Sequence, residues 1–131
     1  MESLTAKQYR FIRRYYDWME TVIEGLQTVI QFYRDQHEEQ GDRLLSDMLA
    51  GFERFGEDNL TMHVVFGQQE DRVREWNQFQ QEVYAAQNIP ANSDPMNKIA
   101  QMTKTVLPAF QRWQMIVQSA LDDVQSQKPD A

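Results

Sequence analysis

The chain has 131 residues, a formal charge of −7 and a pI near 4.7, which suits one domain able to bury its own core and argues against a general nucleic-acid or anionic-membrane binder. It contains no cysteine, so thiol catalysis, zinc–cysteine sites and disulfides are excluded. No apolar run approaches the ~18 residues of a membrane span, and Met1-Glu2-Ser3-Leu4-Thr5 has no leader pattern, so a soluble, cytoplasmic, non-exported protein is expected.

Thr5 and Gln8 have the spacing of a capping box, and Leu4 stands where it can staple onto Tyr9. Ile12, Tyr15, Met19, Val22, Leu26, Val29 and Tyr33 then alternate by three and four, the seam spacing of packed helices. Tyr16, Ile23 and Ile30 flank that seam on one side, and Phe11, Trp18, Gly25 and Phe32 on the other. Four apolar columns in seven need more than one neighbour, so this helix, expected over about residues 5–39, is read as the spine of a bundle. Gly41 reads as its stop and Asp42 as the next N-cap. The short link predicts an antiparallel return.

The second helix, expected over 42–66, carries Leu44, Leu45, Met48, Leu49, Phe52 and Phe55. Gly25 and Gly51 each precede a large apolar residue, and a hairpin about residue 40 would put these glycines within about a turn of each other. They are read as notches for an aromatic ring from the facing helix. Two boundaries stay open beyond them. Either Gly56 ends the helix and Asp58 or Asn59 caps a new one, or helix continues through His63 and Val65 to Gly67.

A further helix over 69–87 is expected to carry Val73, Trp76, Phe79, Val83 and Tyr84, ending with Asn88 left-handed, Ile89 folded back on Tyr84 and Pro90 forbidding continuation. Asp94 and Pro95 read as N-cap and first residue of the last helix, 95–126. Its expected buried face is Ile99, Met102, Val106, Phe110, Trp113, Val117, Leu121 and Val124, with Ile116 beside it. Pro108 falls inside that pattern and deletes a hydrogen bond to the carbonyl of Lys104, which predicts a kink in one continuous helix. The tail from Ser126, with Pro129, is expected to fray. The fold expected is all-α: one domain over 1–131, an up-and-down antiparallel bundle of four helices, or three if the middle segment is continuous.

Chemistry is sparse. His37 and His63 are the only histidines, and neither lies in the Glu-x-x-His spacing of metal-binding bundles. Glu57, Asp58 and His63 form the one conceivable ligand set, although solvated residues at a helix end explain them better. No phosphate loop, nucleophile elbow or His-Glu-x-x-His occurs; no catalytic residue and no cofactor is assigned. Lys7, Arg10, Arg13 and Arg14 crowd the start of the first helix, where they would meet an anion or nucleic acid, or pair with Asp122 and Asp123 at the end of the last helix.

The remaining functional signal is apolar excess. Fifteen aromatics and seven methionines exceed what tight helix packing obviously demands; they either build an aromatic-rich core or leave part of the surface for a partner, since such residues are enriched where helices meet partners. Phe11, Tyr15, Trp18, Phe32 and Tyr33 are the candidate partner-binding residues, the partner being another protein or a second copy. An adaptor- or chaperone-like interaction module is the leading expectation, and a ligand- or metal-binding bundle using His63 the alternative.

Ile23-Glu24-Gly25-Leu26 followed by Leu44-Leu45-Ser46-Asp47-Met48-Leu49-Ala50-Gly51-Phe52 resembles small uncharacterised helical proteins of Gram-positive bacteria, domains of unknown function. The likeness covers about the first half of the chain and implies a helical bundle with no assigned activity. The expected architecture is also similar to flagellar and secretion export chaperones, a likeness that no residue motif carries.

Overall fold

The computed structural model describes residues 5–55 and 59–127, with side chains through 123. Every regular element among the described residues is helical. The expectations for Leu4, Gly56, Glu57, Asp58, the side chain of Val124 and the tail beyond Gln127 lie outside the described residues.

Helix α1 spans Ala6–Arg34 and begins as its sequence dictates: the Thr5 hydroxyl accepts from the Gln8 N–H at 3.1 Å, and the Gln8 side chain accepts from the Thr5 N–H at 3.0 Å. All seven seam residues, Ile12 to Tyr33, are buried, with Ile23 and Ile30 beside them. Phe11, Tyr16 and Trp18 are partly buried against the same core.

The end of α1 corrects the expected stop at Gly41. Gln36 takes the left-handed conformation (φ 66°), its N–H bonds the Tyr33 carbonyl, and the His37 N–H bonds the Phe32 carbonyl at 2.8 Å. This is a Schellman closure with glutamine in the place usually held by glycine. The His37 ring meets Phe32 edge-on, 6.4 Å between centroids, supplying the apolar contact that accompanies such closures. Helix α2 therefore begins at Glu38 and runs to Ala50, so Asp42 lies within it and does not cap it. Gly41 serves close approach: a Cβ there would lie 2.7 Å from Cε1 of Tyr33.

The α1–α2 hairpin is antiparallel, since Tyr33 meets Asp42, Gly25 meets Met48 and Trp18 meets Gly51. Gly51 is the notch for an aromatic ring, that of Trp18; Gly25 receives the thioether of Met48 instead. Met48, which fills the Gly25 notch, lies three residues before Gly51 on α2, so the two glycines are offset by about one turn.

After α2 the chain tightens into a 3-10 turn over Gly51–Phe55, and α3 is the short helix Leu60–Phe66. The expected continuous helix over 42–66 is thus divided. Asn59 caps α3, its side chain accepting from the Met62 N–H at 3.0 Å, and Gly67 ends it, so one residue from each candidate boundary bounds this helix. Helix α4 spans Glu70–Ala86 with Trp76, Phe79, Val83 and Ala86 buried. Asn88 is not left-handed (φ −89°); a short 3-10 turn, Ile89–Ala91, follows, with Ile89 buried.

Asp94 caps α5, Pro95–Gln101, accepting from the Met96 N–H. A π-helical turn, Met102–Val106, joins α5 to α6, Leu107–Gln127. The Leu107 N–H reaches back to the Met102 carbonyl, so the extra residue of the π turn sits where Pro108 removes the donor of a regular α ladder. The apolar stripe continues in phase, with Met102, Val106, Phe110, Trp113, Val117 and Leu121 all buried. Ile99 and Ile116 are partly buried beside it. Helix α6 packs on α1 and α4: the Trp113 indole N–H donates to the Tyr15 hydroxyl at 2.8 Å, and Arg112 makes a two-pronged contact with Glu75 at 2.6 and 2.7 Å.

Candidate functional site

Helix α4 and its C-cap place two sets of side chains in adjacent columns. Trp76, Phe79 and Val83 face the core. Gln80, Tyr84 and Gln87 repeat by four and three on the next column, at the edge of that packing. Opposite them the 3-10 turn presents Phe52, which meets Phe79 of α4, and Phe55, which packs on the aromatics of α1. Tyr15 and Leu49 close the floor. Between these walls lies an open cavity of about 170 Å³, with Glu53, Gln80, Tyr84 and Gln87 at its polar edge.

The walls are packed ring on ring. Phe55 is held by Phe11, Tyr15 and Trp18, with ring centroids at 5.8, 4.8 and 5.1 Å. Phe79 stacks on Trp113 at 5.3 Å and meets Phe52 edge-on at 5.5 Å. Burial pushes the Tyr15 hydroxyl well above its ordinary range, against the opposing effect of the hydrogen bond from Trp113, so it stays neutral and fixed. Among the described residues, the amide nitrogen of Gln80, one of the residues lining the cavity, is buried without a hydrogen-bond partner. A buried donor left unpaired is costly. Tyr84 stands at the rim, 73% exposed.

The five aromatics proposed for partner contact are divided by the fold. Tyr15 lines the cavity, and Phe11 and Trp18 buttress its Phe55 wall. Phe32 and Tyr33 lie at the other end of α1, Tyr33 being 2% exposed. The α4 and 3-10 residues were not singled out for binding by sequence, although the run of amides on α4 is visible there.

A second constellation went unread. Lys98 is only 2% exposed, and its ammonium lies 3.1 Å from Glu38 Oε2 and from both Asp42 carboxylate oxygens. It sits 5.4 Å from the centre of the Tyr33 ring, whose hydroxyl donates to Asp42 at 2.7 Å. Burial alone would lower the Lys98 pKa, but the hydrogen bonds it donates to Asp42 and Glu38 raise it above the ordinary value. A nucleophilic lysine needs the opposite shift, so this cluster is a brace between α5 and the α1–α2 hairpin. Its signal was available: Lys98 precedes Met102 and Val106 by four and eight residues, on the buried stripe.

Other candidates carry less. His63 lies edge-on to Trp76 at 5.1 Å, and among the described residues no group of three or more histidines and acids could hold a metal. Arg13 pairs with Asp17 and lies over Tyr16. The acids expected to face these bases are engaged elsewhere, Asp123 with Arg72 of α4 and Asp122 with Gln118. Among the described residues no helix is long and apolar enough to cross a membrane.

A family described as a domain of unknown function (DUF8042) matches residues 10–116. No curated protein and no solved structure matches the chain.

Proposed function

The chain belongs to the DUF8042 family, and for it we propose a protein-binding role: an adaptor- or chaperone-like module that receives an apolar side chain of a partner in the cavity between the 3-10 turn and α4. The observation that carries this reading is the open, aromatic-walled cavity between the 3-10 turn and α4. Its volume is near the roughly 150 Å³ of an apolar cavity that binds a benzene-sized group and well below the ~300–1,000 Å³ of typical small-molecule sites. One large side chain fills it; a nucleotide or dinucleotide does not enter. Protein interfaces use such pockets for their central apolar anchors.

This reading moves the binding surface from the aromatic face of α1 to the groove beside it, since Tyr15 and Tyr33 are buried against the protein's own helices. It is set in an up-and-down four-helix bundle working in the cytoplasm, with α5, the π turn and α6 counted as one rod bent near Pro108. The test is quantitative affinity capture from the native cell with wild-type protein and with Val83→Trp, which fills the cavity. A protein retained by the wild type, lost with the folded variant and bound again after purification supports the role. Equal retention of every protein by both forms removes it. Sedimentation of both forms over a wide concentration range shows whether the occupant is a second copy.

A further inference from the structure

We infer that the solvent face of α1 is an interface between two copies of this chain, which pair antiparallel about a two-fold axis crossing the helix between Tyr15 and Tyr16. The contact makes no use of the cavity, so the role proposed above and this dimer can fail separately.

The charges on that face are sorted into two blocks. Between Ser3 and Tyr16 the chain has four bases and no acid; from Asp17 to Tyr33 it has three acids and no base. All seven of these side chains are exposed. Within one copy the sorting is unfavourable. Lys7 and Arg10, Arg10 and Arg14, Asp17 and Glu20, and Glu20 and Glu24 stand three or four residues apart, where like charges repel. Bases in the first turns also oppose the helix dipole, and no acid in the first turn offsets them. Arg13 pairs with Asp17 at 3.8 Å, a long contact with both side chains more than half exposed. Among the described residues the side chains of the other five have no partner.

Repulsion within each block becomes attraction when a second copy runs the other way. Lys7, Arg10, Arg14, Asp17, Thr21 and Glu24 recur by three and four on the solvent side of α1, the spacing of a pairing stripe between two helices. When Arg14 is set against Asp17 of the second copy, Lys7 faces Glu24 of that copy, and Arg13 on the next column lies beside its Glu20. Each contact occurs twice, as an isologous two-fold interface requires. Other registers fail. A parallel pair sets every base against its own counterpart. Sliding the antiparallel pair by seven residues one way puts Arg10 against Arg14; sliding it the other way leaves Lys7 opposite Gln31 and sets Glu20 against itself.

The stripe from Lys7 to Glu24 is about 25 Å long at 1.5 Å per residue. Phe11 and Trp18, on the column beside it and only partly buried, give it an apolar flank. A polyanion such as a nucleic acid matches the first block and then meets Asp17 and Glu24; a second copy matches both blocks. Exposed ion pairs are individually weak and are screened by salt, so the dimer is transient, with a dissociation constant on the order of 0.1–1 mM.

The experiment is sedimentation equilibrium of the full chain up to about 2 mM, at about 50 and about 500 mM salt. It compares the wild type with an acidic variant (Lys7→Glu, Arg13→Glu, Arg14→Glu) and a basic variant (Asp17→Lys, Glu20→Lys, Glu24→Lys). The wild type is expected to dimerise at low salt and at least about fivefold more weakly at high salt. Each variant alone should be monomeric, and the two mixed should form a heterodimer at least about tenfold tighter than the wild-type dimer. Because the chain has no cysteine, the register can be read by oxidation without reversing any charge block: Arg10→Cys and Thr21→Cys copies should cross-link to each other faster than either does to itself. A wild type that stays monomeric at low salt overturns the dimer, as does a dimer unchanged in both variants or the absence of a heterodimer on mixing. Thr21→Cys cross-linking preferentially to itself overturns the antiparallel pairing. A monomeric wild type that binds oligothymidylate, with the acidic variant losing that binding, overturns the dimer in favour of a nucleic-acid face.

Discussion

Replacing Lys98 should reveal how strongly the buried ion cluster holds α5 to the α1–α2 hairpin. The ammonium makes three hydrogen bonds of 3.1 Å to Glu38 and Asp42. Removing one partner of a fully buried pair costs about 3–5 kcal/mol. Here the acids keep access to water, the Glu38 side chain being 39% exposed and that of Asp42 26%, so they rehydrate once the ammonium is gone. The expected loss for Lys98→Met, which keeps the apolar stem, is therefore about 2–3 kcal/mol. Lys98→Ala also loses three packed methylenes at about 0.8 kcal/mol each, bringing the total to about 4–5 kcal/mol. Urea unfolding followed by circular dichroism and tryptophan fluorescence measures both, with an unchanged denaturant slope required for the comparison. A double-mutant cycle with Asp42→Asn, which retains an acceptor for the Tyr33 hydroxyl, should return a coupling of at least about 1 kcal/mol. The reasoning is refuted if Lys98→Met lies within about 0.5 kcal/mol of wild type and the cycle is additive, because dehydration of the ammonium would then cancel its pairing.

Gln36→Gly should stabilise the protein by about 0.5–1 kcal/mol, since Gln36 alone among the described non-glycine residues has positive φ; a lower unfolding midpoint would contradict the Schellman closure. The helical glycines should separate in sign. In Gly51→Ala the new Cβ would fall 2.8 Å from Cζ2 of Trp18, itself packed on Phe52 and Phe55, and a loss of about 1–3 kcal/mol is expected. In Gly25→Ala it would meet only the flexible end of Met48, so helix propensity should make the change neutral or stabilising by up to about 1 kcal/mol; equal effects in thermal unfolding would refute the two notches. Stability should also fall on the alkaline side. Burial raises the hydroxyls of Tyr15 and Tyr33 above their ordinary 10.0, and Lys98, which burial alone would lower, is raised above 10.5 by Asp42 and Glu38. All three hold their protons more tightly folded than unfolded, so what they contribute is complete below about pH 10 and is lost as pH rises through the folded values. The hydrogen bond from Arg112 holds Glu75 below its ordinary 4.5, so its contribution is present above that value and is lost as pH falls through the lowered one. A urea midpoint that stays constant from about pH 8 to 11 would refute the alkaline limb.

By itself the sequence determined what depends on local periodicity and capping. The α1 seam, the Thr5–Gln8 box, the Asp94–Pro95 start and the in-phase stripe through Pro108 could all be read from it, because a helix repeats its neighbours every three or four residues and a cap involves residues two or three apart. Only the tertiary structure decided the rest. Gly41 has the look of a helix stop, yet what places glycine there is the Tyr33 ring on the facing helix, while Gln36 closes α1 in a conformation its side chain does not advertise. Lys98 reads as surface until Glu38 and Asp42, about sixty residues earlier, meet it. The cavity likewise has walls from α1, the 3-10 turn and α4, and no single stretch of chain contains enough of it to be seen. Shape between helices is a property of their packing, and periodicity within one helix carries no record of what lies across the gap.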